Sequence, residues 1–180
     1  MDIIYFVSRH AQFKTRAGYS LVTLRDYQED TLHMLGDEVW DEDLQDIRLA
    51  NRRIILMQSR QSAKTTTVIS YFVWLMLFHI DRNIVITANK ERTTKEILSK
   101  TMEVFKRLPY FLKPGIEESS KTTLRLENGS SLRAVATTGD SATGDSINVL
   151  LIDECALIPQ NVMKEFWASV YPTLSSFEDS

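Results

Sequence analysis

Two stretches of this sequence combine residue types and spacings that suit phosphate chemistry. In the first, an apolar run at residues 54–57 leads into a polar loop that ends in Lys64-Thr65. A strand, a loop and a helix in this order present backbone N–H groups and the positive end of the helix to phosphate groups. Lys64 would then neutralise phosphate charge, and the Thr65 hydroxyl would bind Mg²⁺.

This loop departs from the usual phosphate-loop pattern G-x-x-x-x-G-K-[ST], because its two glycine positions hold Gln58 and Ala63. Glycine serves there for its freedom in φ and for close backbone approach to the ligand. A side chain at residue 63 is compatible with binding if its φ is negative, although it could crowd a phosphate. Taken alone, a Lys-Thr pair at a helix start is more often a simple helix cap.

The second stretch is the apolar run at residues 149–152, which ends in Asp153-Glu154. This is the Walker B arrangement, in which Asp153 lies near a Mg²⁺ ion and Glu154 polarises the attacking water. The alternative is a strand that ends in solvated acids. A water-activating glutamate together with Mg²⁺ favours hydrolysis of a nucleoside triphosphate over transfer to a small acceptor.

Other residues are weaker candidates for the same site. Arg60 could stabilise charge on the transferred phosphoryl group, or it could be a surface arginine. Tyr27 and Gln28 could stack on and hydrogen-bond to an adenine, or they could be a packed tyrosine and a solvated glutamine. Cys155 follows the acids and is interpreted as a small packed residue and not as a nucleophile.

The pattern of apolar residues predicts the elements that would position these groups. Strands are predicted at 54–58, 83–88 and 149–152, helices at 64–80, 91–107 and 161–171, and a hairpin at 122–136 around Asn128-Gly129. Short apolar strands that alternate with helices indicate an α/β fold of the P-loop NTPase type, with a mostly parallel sheet sandwiched by helices and one β-hairpin. Because ligands bind at the carboxyl ends of such strands, Lys64 is expected to converge with Asp153 and Glu154.

The composition is that of an ordinary globular chain. Its 180 residues suffice for one domain, divided here into an N-terminal arm at 1–20 and a nucleotide-hydrolysing domain at 21–180. A net charge of −3 argues against a surface that clamps nucleic acid throughout. One cysteine excludes a disulfide framework and makes a reducing cytoplasm the expected location. The apolar run 68–80 is too short to span a membrane, so no membrane association is expected.

Several motifs resemble the large terminase subunit of tailed double-stranded-DNA phages, especially T-even-like ones. They are Leu24-Arg25-Asp26-Tyr27-Gln28, Ser59-Arg60-Gln61-x-x-Lys64-Thr65-Thr66, Leu108-Pro109-x-Phe111-Leu112-x-Pro114-Gly115-Ile116, Glu127-Asn128-Gly129-Ser130-Ser131 and Ile152-Asp153-Glu154-Cys155-Ala156-x-Ile158-Pro159. Together they run from about residue 21 to the end of the sequence.

The resemblance implies an ATPase motor that moves viral double-stranded DNA into a preformed capsid in the host cytoplasm. The implied cofactors are ATP and Mg²⁺, and the implied partners are the portal protein, the small terminase subunit and further copies of the chain in a ring. Tyr27 and Gln28 would read the adenine, and Asp153 and Glu154 would be the Walker B pair. The implied nucleotide-binding loop residues are Ser59, Arg60, Gln61, Ser62, Ala63, Lys64, Thr65 and Thr66.

Departures from the family pattern leave alternatives open. Ala63 replaces the usual glycine, Thr143-Gly144 stands where an Arg-Gly pair is usual, and the acidic tract 37–46 resembles an insertion. The sequence also ends before the expected coupling strand and nuclease domain, so a fragment or a degenerate copy is expected. A nucleotide-binding module without turnover is therefore the main alternative, and a helicase or translocase of the related superfamily ranks lower.

Overall fold

The computed structural model describes residues 1–42, 46–50, 53–59, 61–137 and 147–175. Its contacts divide the chain into two compact units. The first unit comprises Met1–Phe78 and Glu103–Lys113, and the second comprises His79–Met102 and Pro114–Ser180. The loop before Lys64 belongs to the first unit, and the Asp153-Glu154 pair belongs to the second.

Besides the end of the helix Glu91–Arg107 and a 3₁₀ turn at Tyr110–Leu112, the described residues of the first unit form three helices and two hairpins. They are α1 (Ile3–His10), β1 (Gln12–Thr15), β2 (Gly18–Leu21), α2 (Asp26–Gly36), β3 (Glu38–Asp41), β4 (Asp46–Leu49) and α3 (Lys64–Phe78). The strands pair antiparallel, β1 with β2 and β3 with β4. The three helices pack against one another. Helix α3 is buried continuously from Thr67 to Met76, as its apolar sequence predicts.

Residues 1–20, expected to be an arm, contain regular structure. Asp2 caps α1 by accepting a 2.7 Å hydrogen bond from the Tyr5 N–H. Ile3, Phe6 and Val7 share one face of the helix and are buried. The hairpin β1–β2 follows, and its Tyr19 hydroxyl donates a 2.6 Å hydrogen bond to Glu103. This segment is therefore packed, and the separation of an arm from a domain at residue 21 stays a prediction.

A five-stranded mixed sheet forms the centre of the second unit. Its strands are β5 (Asn83–Ala88), β6 (Ile116–Ser119), β7 (Thr123–Leu126), β8 (Ser131–Ala134) and β9 (Val149–Asp153), in the order β6-β7-β8-β5-β9. Strand β5 runs parallel to both β8 and β9, whereas β6–β7 and β7–β8 are antiparallel pairs. Helix α4 (Glu91–Arg107) belongs to this unit as far as Met102, and helix α5 (Gln160–Ser175) belongs to it throughout. The predicted α/β class is confirmed.

The local predictions for this unit also agree with the structure. Strand β5 is central, and its buried residues 84–88 explain the uninterrupted apolar run, because both faces of the strand are shielded. The predicted hairpin is β7–β8, where the Gly129 N–H donates to the Leu126 carbonyl at 3.1 Å. Gly129 has a φ of 83°, as a glycine at the end of a three-residue hairpin loop requires.

The strand predicted at residues 54–58 is wrong. These residues lie outside every strand pairing found in the described part of the chain. Ile55 and Met57 are 90% and 91% exposed, so the described residues leave most of these two apolar side chains uncovered. An apolar run becomes a strand only when a neighbouring strand accepts its backbone hydrogen bonds, and residue type alone does not supply that neighbour.

Two smaller differences concern helix and strand boundaries. Helix α5 continues through Pro172 to Ser175, past its predicted end at residue 171. The acidic tract 37–46 contributes residues to β3 and β4, and its residues 37–40 are exposed. None of the described helices has the length and apolarity needed to cross a membrane.

Candidate functional site

The loop before α3 places its Lys-Thr residues at the start of a helix, as predicted. Lys64 is the first residue of α3, and Thr65 and Thr66 follow in its first turn. Backbone N–H groups in a first turn have no partner within the helix and carry the positive end of its dipole. This end of α3 is therefore suited to a phosphate group.

The backbone of the loop has alternating signs of φ. Gln61 and Ala63 have positive φ values of 62° and 59°, whereas Ser62 between them and Lys64 after them do not. Such alternation turns successive N–H groups toward one concave side, which forms an anion-binding nest. The loop thus has the backbone form of a phosphate cradle without either of the expected glycines.

A side chain at residue 63 was expected to be compatible with phosphate binding if its φ were negative, and the φ of Ala63 is positive. Its φ of 59° lies in the left-handed region, where a Cβ approaches the neighbouring carbonyl oxygen. Gln61 adopts the same region two residues earlier. The loop is therefore strained at a position where glycine would be relaxed.

Replacing Ala63 by glycine is expected to stabilise the protein by about 1 kcal/mol, because glycine adopts positive φ without steric cost. Urea unfolding followed by circular dichroism would measure the change. Ala168→Gly is the matched control: Ala168 is exposed within α5, and glycine there should destabilise by about 1 kcal/mol. A loss of stability in Ala63→Gly would contradict the left-handed conformation.

Tyr27 and Gln28 both contact the loop region from the start of α2. The Tyr27 hydroxyl donates a 2.8 Å hydrogen bond to the Ser62 carbonyl. Gln28 is only 5% exposed, and its amide nitrogen donates to the Thr67 hydroxyl at 3.0 Å. The Gln28 side-chain oxygen accepts a 3.2 Å bond from the Arg25 N–H. The adenine-reading role of these two residues stays a prediction.

Other loop residues have more modest contacts. The Ser62 hydroxyl donates to the Gln58 side chain at 3.2 Å, and Ser59 and Gln61 are exposed. Arg60 lies outside the described residues, so its predicted role in charge stabilisation stays a prediction. The sequence analysis did not identify Thr67 as a residue that contacts the loop region. The feature that could have indicated it is a polar residue one helical turn after Ala63, directly before an apolar helical run.

In the second unit, Asp153 and Glu154 occupy the end of β9 as predicted. Asp153 is 9% exposed, pairs in register with Ala88 of β5, and accepts the Glu154 N–H on Oδ1 at 3.0 Å. Glu154 is exposed and adopts left-handed torsions, φ 53° and ψ 34°, ahead of a short 3₁₀ turn at Cys155–Leu157. A non-glycine residue in this conformation is strained, and such strain is concentrated at functional sites.

The end of β5 is concave at Ala88, the residue that pairs in register with Asp153. A cavity of about 330 Å³ lies in the second unit, lined among others by Ala88, Thr137 and Ile158. The Thr137 hydroxyl donates to the Ala88 carbonyl at 2.8 Å. This bond connects the segment that follows β8 to the end of β5. Thr143-Gly144 lies outside the described residues.

The chemistry of Asp153 fits a Mg²⁺ ligand. In the described part of the chain no group of three or more His, Cys, Asp or Glu residues is placed to hold a metal ion. Mg²⁺ in nucleotide sites needs no such cage, since one or two carboxylates and the substrate phosphates hold it together with waters. The convergence of Lys64 and Thr65 with Asp153 and Glu154 stays a prediction.

Comparisons with known proteins agree with this fold. The family model described as "Terminase large subunit, T4likevirus-type, N-terminal" matches residues 55–175. The ATPase domain of the large terminase of Thermus phage P74-26 is similar, with a TM-score of 0.60 and 21% identity over 83% of this chain and 65% of that one. An arginine-to-alanine mutant of that domain gives a TM-score of 0.54 and 22% identity, over 66% of this chain and 53% of the mutant domain. At these identities the likeness shows the fold, and this chain spans about half to two thirds of those domains.

Proposed function

Because this chain belongs to the T4-like-virus family of large terminase subunits, in their N-terminal part, we propose that it binds and hydrolyses ATP to drive DNA packaging. The observation that carries the proposal is the loop at 61–64. Its φ signs alternate directly before α3, so that a phosphate-binding nest and a helix N-terminus are contiguous. The acids at the end of β9 supply a second, chemically matching set of groups.

Each residue has a defined role in this proposal. The N–H groups of the loop and the Lys64 ammonium would bind the phosphates, and Thr65 and Asp153 are the residues that would hold Mg²⁺. Mg²⁺, when bound, neutralises charge on the phosphate oxygens. Glu154 accepts a proton from the attacking water, and Arg60 offsets charge on the phosphoryl group.

The partners follow from family membership as part of the same proposal. The chain would act on viral double-stranded DNA in the host cytoplasm, in a ring of several copies that engages the portal protein and the small terminase subunit. The cations on α4 offer little support for direct DNA binding. Arg92 pairs with Glu96 at 3.4 Å and Lys95 with Glu91 at 2.7 Å, so two of the α4 cations already have carboxylate partners.

A second candidate function is a nucleotide-binding or interaction module without turnover. The strain at Ala63 favours it, because a loop that has to hold Ala63 at a positive φ resists small adjustments around a phosphate. In that case the chain would bind nucleotide and release no phosphate. Wild-type turnover therefore distinguishes the two candidates.

The test of nucleotide binding is calorimetric titration of the chain with Mg²⁺-ATP. Lys64→Ala is expected to weaken binding about 10- to 100-fold, because it removes a charge-assisted contact to phosphate. Lys14→Ala is the matched control, since Lys14 is an exposed lysine of β1 in the same unit. Equal affinity of the two variants would contradict a phosphate site at the start of α3.

A further inference from the structure

We propose that Tyr27 and Gln28 act as positioning residues, whose hydroxyl and amide groups hold the loop at 61–64 in its phosphate-binding form. This inference rests on the proposed function, because it concerns the same nucleotide site. Both residues belong to the first turn of α2, and the contacts that carry the argument lie within the first unit.

The Tyr27 hydroxyl is bonded on both sides. It donates to the Ser62 carbonyl at 2.8 Å and accepts from the Arg25 guanidinium at 3.2 Å. The hydroxyl thus connects the start of α2 to a loop residue 35 positions later in the chain. The Arg25 charge polarises the hydroxyl and so strengthens the bond to Ser62.

The position of the Ser62 carbonyl decides where the next N–H group points. In a trans peptide the carbonyl and the N–H lie on opposite sides of the chain, and the described peptide bonds are all trans. When Tyr27 draws the Ser62 carbonyl toward α2, the Ala63 N–H is directed away from α2. Tyr27 therefore orients a donor of the nest through the backbone of the loop.

Gln28 acts on the next peptide through Thr67. Its amide nitrogen donates to the Thr67 hydroxyl at 3.0 Å, and that hydroxyl lies 3.4 Å from the Ala63 carbonyl. The Thr67 N–H also donates to the Ala63 carbonyl, at 3.1 Å. Gln28 thus supports the first turn of α3 at the carbonyl that belongs to the strained residue.

Both polar atoms of the buried Gln28 side chain take part in these supporting contacts. The side chain is 5% exposed, its nitrogen is bonded to Thr67, and its oxygen is bonded to the Arg25 N–H. A supporting role uses both bonds as they stand.

Such support is needed because the loop has no glycine at its left-handed positions. Gln61 and Ala63 both hold positive φ, a conformation that side-chain-bearing residues adopt only when their surroundings enforce it. The hydrogen bonds from Tyr27 and through Thr67 act on the carbonyls of residues 62 and 63, which lie within this strained stretch. They are therefore placed to enforce it.

The experiment compares Tyr27→Phe with Tyr110→Phe, which removes a hydroxyl from a tyrosine that is 94% exposed. Affinities are measured for Mg²⁺-ATP, Mg²⁺-GTP and inorganic tripolyphosphate, which has no base. Tyr27→Phe is expected to weaken ATP and tripolyphosphate by the same factor, about three- to tenfold, and to leave the ratio of ATP to GTP affinity unchanged. Thr67→Val should behave in the same way.

Two results would overturn the inference: unchanged tripolyphosphate affinity with a selective loss of ATP, or no change for any ligand. If the wild type binds none of the three ligands, it is the proposed function that fails. Backbone hydrogen exchange at residues 61–67 of the ligand-free protein then decides the inference independently. Faster exchange in Tyr27→Phe than in Tyr110→Phe supports it, and equal exchange contradicts it.

Discussion

Glu154→Gln is expected to slow Mg²⁺-dependent ATP hydrolysis by roughly 100- to 10,000-fold, the range over which a general base accelerates reactions. The substitution keeps the shape of the side chain and removes its ability to accept a proton. Glu154 is exposed directly after β9, so the carboxylate is accessible, and its left-handed backbone is retained by glutamine. Release of inorganic phosphate under saturating Mg²⁺-ATP measures the effect.

The control for this prediction is Glu117→Gln, because Glu117 is an exposed glutamate in β6 of the same unit. Its rate should match the wild type. ATP affinity should also be preserved in Glu154→Gln, since a proton acceptor contributes to the transition state more than to substrate binding. Equal rates in wild type and Glu154→Gln would remove the assigned base, and a wild type that binds ATP without releasing phosphate would favour the module without turnover.

Phe166→Ala is expected to destabilise the second unit by about 3–5 kcal/mol, the usual cost of truncating a fully buried phenylalanine. Phe166 has no exposed surface, and it packs with Val85 of β5, Ile147 and Val170 in one buried cluster. The loss includes the apolar contacts of the ring and the cavity that remains. Against a typical total stability of roughly 5–15 kcal/mol, this change approaches unfolding.

The free energies of unfolding of Phe166→Ala and Glu165→Ala are measured by thermal or urea unfolding. Their difference gives the contribution of the buried ring to stability. Glu165 is the preceding residue of α5 and is exposed, so its truncation should change stability by less than about 0.5 kcal/mol. A similar shift in both variants would show that Phe166 is not a core residue. A large shift in Phe166→Ala alone would confirm that α5 packs on β5 through this ring.

A loop without glycine has to be kept in a phosphate-binding form by its surroundings. This requirement underlies both candidate functions and the positioning role of Tyr27 and Gln28. In most such loops glycine adopts the left-handed torsions at no steric cost. Here the structure holds Gln61 and Ala63 in those torsions and bonds the intervening Ser62 carbonyl to α2. Relief of strain in Ala63→Gly and loss of support in Tyr27→Phe should therefore act on nucleotide affinity in opposite directions.

Local sequence determined much of the secondary structure and the chemistry of the candidate groups. The continuous apolar runs of α3 and β5 and the Asn128-Gly129 turn are short-range signals, and each produced the predicted element. The same holds for the positions of Lys64 at a helix start and Asp153 at a strand end. These features depend on side-chain size, polarity and turn chemistry within a few residues.

Tertiary structure alone decided the remaining features. Residues 54–57 are as apolar as β5, yet strand formation needs a hydrogen-bonding neighbour that no local pattern specifies. The positive φ of Ala63 occurs beside the contacts with Tyr27 and Thr67, and the burial of Gln28 depends on the packing of α2 against α3. Backbone torsions and strand partners are set by contacts between residues distant in sequence, so they emerge only when the chain has folded.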